Sequence, residues 1–233
     1  MITPPTQAHP RRQKTMTPGT DEKRERILKV AEHLFATRGY AHTTMEQIVR
    51  ELGVTKPFVY YYFHNKQEIF ETLSWRPAVA CFTAMDFAPD DVRPAHVKVT
   101  EGLERLIRAT ITYHPASFFA YREPQVYRPD YLEAQKKLAH HFYDRLCPLL
   151  EQGRQDGMFD FSETRITALA ACSLPGFLYA WYRPEGRLGP DDMVRELSKL
   201  AWRVVGLRET PPRRAARPAS FKSHPPTPSR KIE

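Results

Sequence analysis

The chain is short of cysteine, and the three it has are poorly placed for cross-linking. Cys81, Cys147 and Cys172 are odd in number, and no two stand at CxxC spacing. Neither a disulfide framework nor a zinc knuckle is indicated, and reduced thiols packed among apolar neighbours are expected. Long hydrophobic runs are missing too. Nothing approaches the ~20 apolar residues of a membrane-spanning helix. Residues 1–18 are polar and proline-bearing, without the apolar stretch of a secretory signal. A cytoplasmic protein with no membrane partner is therefore expected. No stretch alternates in period two for long enough to build a sheet, and no internal repeat is visible. The GxSxG elbow, the Walker loop, HExxH and the dinucleotide fingerprint are all absent. His140 and His141 stand side by side but have no further ligand at metal spacing. No enzyme, no cofactor and no metal site is expected.

What the sequence does have is positive charge, gathered at its ends. The formal net charge is +8, which suggests a polyanionic partner. Residues 1–19 contribute +3 and residues 210–233 contribute +5, so the segment between them is formally neutral. The same two ends hold ten of the 21 prolines and few large aliphatics. Segments of that composition bury too little apolar surface to offset their ordering entropy. Both ends read as disordered basic tails, either adding nonspecific attraction to DNA or merely solvated. Evidence for a specific partner must come from the neutral body.

That body, residues 20–209, reads as helix after helix. The first has Thr20 as its cap and Ile27, Val30, Ala31, Leu34 and Phe35 on one face, with Gly39 as its stop. A short helix begins near Thr43 or Thr44, where Glu46 or Gln47 can complete a capping box, and ends at Gly53. A third runs from Thr55 to about Tyr62, and a fourth starts after Asn65 with Glu68 at the return position. Longer candidates follow at Pro94–Tyr113, Asp130–Gln152, Glu163–Tyr182 and from Pro190, with a short one at Ser117–Arg122. Pro148 is expected to kink or break its helix, and Pro175 to kink its own. Glu163–Tyr182 is apolar nearly all round, which predicts burial on more than one side.

The informative stretch is Thr43–Phe70, TTMEQIVRELGVTKPFVYYYFHNKQEIF. Two short helices around a tight turn at Gly53 form a helix-turn-helix. Ile48, Leu52, Val54 and Val59 would hold the pair at a fixed angle. The free face then offers Thr55, Lys56, Tyr60 and Tyr61, and no carboxylate occurs from Gly53 through Gln67. Hydroxyls and ammonium groups donate to phosphate oxygens, and such a helix can enter a major groove. Pro57 suits the first turn, where no N–H is needed. Val59, Tyr62 and Phe63 are read as core.

This stretch resembles the DNA-binding domain of the TetR family of bacterial regulators. The resemblance rests on Gly39-Tyr40, Thr44, Ile48, Gly53-Val54-Thr55-Lys56, Tyr60, Tyr62-Phe63, Lys66 and Glu68, all in order. Val49 stands where the family usually has Ala, and Pro57 where Gly is common. The resemblance implies an all-α fold, with a three-helix helix-turn-helix domain at 20–66 and a helical effector-binding and dimerisation domain at 67–209. It implies that Thr44, Thr55, Lys56, Pro57, Tyr60 and Tyr61 meet the groove and its phosphates, with Lys66 adding a phosphate contact from the next helix. Its partners would be operator DNA, a second copy of the chain and a small effector.

Aromatic residues are plentiful beyond residue 110, and the plain reading makes most of them core. The sharper reading lines a mainly apolar ligand cavity with Tyr113, Phe118, Tyr121, Tyr143, Phe177 and Trp181, with Arg122 and His140 as polar groups. A hydrophobic effector follows. The function implied is a sequence-specific transcriptional regulator, a repressor released by that effector. An activator, or a regulator without a ligand, has the same sequence features. A nonspecific nucleic-acid binder driven by the tails is the reading from another class.

Overall fold

The computed structural model describes residues 18–209, and the expectations for both tails lie outside that range. Among the described residues the regular elements are helices alone. They are α1 (Pro18–Arg38), α2 (Met45–Leu52), α3 (Lys56–Tyr62), α4 (Lys66–Phe82), α5 (Ala95–Thr112), α6 (Phe119–Arg122), α7 (Pro129–Gln155), α8 (Thr164–Gly176), α9 (Leu178–Trp181) and α10 (Pro190–Val204), with single 3-10 turns at Ala116–Phe118 and Pro124–Val126. The described residues are all-α, as the periodicity predicts.

Local signals set most boundaries. Thr44 caps α2 with a complete capping box: its Oγ1 accepts from Gln47 N at 3.2 Å, and Gln47 Oε1 accepts from Thr44 N at 2.9 Å. Asn65 caps α4 by accepting from Glu68 N at 2.8 Å. Three expectations need correction. Helix α1 starts at Pro18, so Thr20 sits in its first turn and is not the cap. Helix α7 passes through Pro148 without a break. Pro148 and Asp144, whose carbonyl loses its helical partner, are both exposed, so water can satisfy that oxygen. The long helix expected at Glu163–Tyr182 stops one residue after Pro175 and resumes as the single turn α9.

Two apolar cores share the molecule. The first joins Ile27, Leu34 and Phe35 of α1 with Ile48, Val59, Phe63 and Phe70, and continues into Phe119, Tyr127 and Tyr131. The second gathers α5, α7, α8 and α10 around Leu103, Ile107, Phe142, Leu146 and Leu197. Helix α4 packs against α1 on one side and against α5 and α7 on the other. It therefore belongs to both halves, and the expected division at residue 66/67 falls at its first turn. Phe70 stacks on Phe119 at 4.8 Å and meets Phe35 edge-on at 5.2 Å, so the aromatic packing crosses that division.

A polar latch reinforces the crossing. The Glu71 carboxylate, 3% exposed, accepts from the Arg128 backbone N–H at 2.9 Å and from its guanidinium at 2.8 Å. Gln67 Nε2 donates to Val126 O at 2.6 Å, and Tyr40 N to Glu123 Oε1 at 3.4 Å. Removing one partner of a buried pair costs ~3–5 kcal/mol, because it strands the other charge. Arg128 is partly exposed, so Glu71→Ala is expected at the low end, about 3 kcal/mol, read as a lowered urea midpoint. An unchanged midpoint would show that water replaces the carboxylate without cost.

Candidate functional site

The first candidate surface is built from α2 and α3. Gly53 closes the turn between them with φ of 65°, and its N–H reaches Arg50 O and Val49 O. A side chain there would be strained, which explains glycine at this position. Ile48, Val59 and Phe63 are fully buried and fix the two helices against α1. Buried Thr43 adds a tie, its hydroxyl donating to Gly39 O at 2.8 Å. With these side chains turned inward, Thr44, Thr55, Lys56, Pro57, Tyr60 and Tyr61 are all left exposed. Tyr61 is the most projecting of the tyrosines, at 65% exposure. The Thr55 hydroxyl makes no capping bond. Six of the seven residues expected at the DNA surface are thus exposed on or beside α2 and α3.

Lys56 is not idle on this surface. Its ammonium lies 2.7 Å from Glu46 Oε1, which raises the Lys56 pKa and lowers that of Glu46 through their hydrogen bond. Both groups are fully in solvent, where such pairs contribute little. A phosphate can displace Glu46 at small cost.

The seventh residue, Lys66, is placed differently from the expectation. Its ammonium donates to Tyr40 O at 2.8 Å and Thr43 O at 2.9 Å and lies 4.2 Å from the Tyr40 ring centroid. It fastens the loop between α1 and α2 to the start of α4. Two backbone carbonyls and an aromatic face hold the charge that was expected to meet phosphate.

The second candidate is a cavity of about 450 Å³, within the usual range for small-molecule sites. Ser74, Pro77, Ala78, Cys81 and Phe82 of α4 form one wall, with Leu106 and Thr110 of α5 beside them. Ala116, Ser117, Ala120 and Tyr121 come from the 3-10 turn and α6, six residues from Leu132 to Tyr143 come from α7, and Cys172, Pro175 and Gly176 from the end of α8. Burial pushes the Cys81 thiol up to about 11 and the Cys172 thiol up to about 12, so both stay protonated at neutral pH. Burial likewise takes the Tyr143 hydroxyl up to about 12. Lys136 is the one charged side chain among the described residues lining it. Apart from Lys136, which is exposed, the lining carries no charged side chain and is mainly apolar.

Of the eight residues expected to line a ligand site, Tyr121 and Tyr143 line this cavity. Phe118 is fully buried in the second core. Tyr113 lies at the end of α5, 36% exposed, and His140 faces solvent on α7. Arg122 reaches Tyr179 O at 3.4 Å on the surface. Phe177 and Trp181 are 67% and 53% exposed outside the cavity. The sequence reading overlooked Ser74, Cys81, Thr110, Ser117 and Lys136. The available signal was pairs of small residues one helical turn apart, Ser74/Ala78, Ala116/Ala120 and Cys172/Gly176, which leave volume unfilled.

Comparison with known proteins agrees in both halves. Residues 27–73 match the profile of bacterial regulatory proteins, tetR family, and residues 93–205 match that of the tetracyclin repressor-like C-terminal domain. The HTH-type transcriptional regulator YerO of Bacillus subtilis is 41% identical over 49 residues, 21% of this chain and only 17% of YerO. The HTH-type transcriptional regulator TtgR of Pseudomonas putida is 28% identical over 170 residues, 68% of this chain and 71% of TtgR. The crystal structure of PfmR from Thermus thermophilus superposes with a TM-score of 0.65 at 22% identity, covering 76% of this chain and 97% of that one.

The Lys66 geometry makes a prediction that needs no DNA. Lys66→Met removes two charge-assisted bonds to backbone carbonyls and is expected to destabilise the free protein by ~1.5–3 kcal/mol. Thermal unfolding without DNA measures it. Unchanged stability with weaker DNA binding would return Lys66 to a phosphate-contacting role.

Proposed function

This chain belongs to the TetR family of bacterial regulatory proteins, and from that premise we propose a homodimeric repressor that a small hydrophobic effector releases from operator DNA. That it is a helix-turn-helix transcriptional regulator follows from the family itself. The reading of release rests on α4. One end of this helix, at Lys66, holds the loop before the DNA-facing helices, and its far end, from Ser74 to Phe82, walls the cavity. A ligand that spreads the cavity wall therefore acts on the helix that positions α2 and α3.

Thr44, Thr55, Lys56, Pro57, Tyr60 and Tyr61 are the proposed contacts with the groove and phosphates. The exposed apolar side chains of the last long helices support the dimer. Ile166 and Leu169 on α8 and Leu200 and Val204 on α10 are 36–67% exposed, on two helices packed together. Two copies of this pair would build a four-helix packing and cover them. This also explains why α8, apolar nearly all round, buries one face alone in the single chain. Two recognition helices could then meet half-sites about 34–36 Å apart. Effector binding would favour a subunit arrangement that misses this spacing.

The test is binding of the full chain to its own upstream DNA against unrelated DNA across a salt series. A preference for the upstream fragment that survives removal of residues 1–17 and 210–233 is expected. Lys56→Ala is expected to weaken binding to both DNAs and to reduce the salt slope by about 1. Equal binding to both fragments, lost with the basic ends, would replace this reading by a nonspecific binder.

A further inference from the structure

The cavity's polar groups are not evenly supplied with hydrogens. A hydroxyl has one hydrogen to give and two lone pairs to receive. On the wall where α5 ends, the hydrogens are already committed. His114 N–H turns to Ile111 O at 3.1 Å, leaving the Thr110 carbonyl without its helical donor, and Ser117 Oγ donates to that carbonyl at 2.8 Å. Thr110 Oγ1 donates to Leu106 O at 3.0 Å. Ser74 Oγ donates to Phe70 O at 2.9 Å and lies 2.8 Å from Tyr127 Oη. Cys81 Sγ, a weak donor, lies 3.6 Å from Thr110 Oγ1. What these hydroxyls still offer is lone pairs. The other hydrogen-bearing groups are Tyr121 on α6 and Gln135, Lys136 and Tyr143 on α7.

We propose that the Thr110–Ser117 wall accepts a hydrogen bond from the ligand, so that the effector is an apolar molecule presenting a hydroxyl or N–H at that end. An ether, ester or carboxylate placed there would meet lone pairs with no hydrogen between. Any acceptor on the molecule points instead to Tyr121 or to α7. This assignment rests on the effector reading of the same cavity and narrows its chemistry.

Three compounds of one shape test it by calorimetry on the full chain: 4-phenylphenol, 4-methoxybiphenyl and 4-methylbiphenyl. The phenol is expected to bind at least about tenfold tighter than the other two, since a site built to bond a hydroxyl rejects analogues lacking it. Thr110→Val is expected to weaken the phenol alone and shrink that ratio, while Thr110→Ser keeps it. Should Thr110→Val fail to fold by circular dichroism, Ser117→Ala takes its place with the same expected loss. Equal affinity for all three compounds, or a preference that neither variant alters, overturns the donor assignment and leaves the effector cavity standing. Binding of none of the three overturns the cavity reading and this assignment together.

Discussion

A single buried carboxylate holds the two halves of this molecule in register. Glu71 lies on α4, and its oxygens are taken by the backbone and the guanidinium of Arg128 at the start of α7. Burying an ion pair rarely stabilises a fold much, but its geometry is demanding, and a mismatch is costly. The pair therefore fixes where α4 sits relative to α7, and α4 carries the start of one core and the wall of the other. The short segment from Ala116 to Arg128 is pinned at its far end by the same pair. It lines the cavity at Ala116, Ser117 and Ala120, holds the loop after α1 at Glu123, and holds α4 at Arg128.

The two candidate surfaces work by opposite physics. On α3, solvent-exposed tyrosines and a lysine with a displaceable partner suit contacts that form and break in water. In the cavity, thiols and a phenol are held protonated by burial, so in the proposed reading shape and hydrogen-bond polarity select the ligand. The described body is formally neutral, so the proposed discrimination between DNA sequences rests on the local pattern on α3 and not on net charge.

What could be read from the sequence was what is local. The capping box at Thr44, the turn at Gly53 and the Asn65 cap each depend on residues three or four apart. The exposed set on α3 follows from the helical period once Val59 and Phe63 are turned inward. Lys66 could not be read this way, because the carbonyls that hold it lie 26 and 23 residues earlier. The cavity is hard to read for a related reason. Aromatic richness is a poor signal for it, because aromatic rings fill space, as Phe118 does. A cavity forms where small side chains from different helices face one another, and no single segment records that coincidence. Tyr121 and Tyr143 are exceptions because they stand at its edge among such residues.

Helix α8 turns two faces to two different tasks. Cys172, Pro175 and Gly176 close the cavity, and a few residues away Ile166, Leu169 and Phe177 lie bare on the outside. There is little slack between them: a Cβ added at Gly176 would sit 3.0 Å from the Tyr121 hydroxyl. Any lineage that enlarged or reshaped the interior through this helix would shift its outer side chains as well. Ligand range and the surface that covers α8 are thus bound to drift together, and a change of specificity here would need a matching change in whatever the helix rests against.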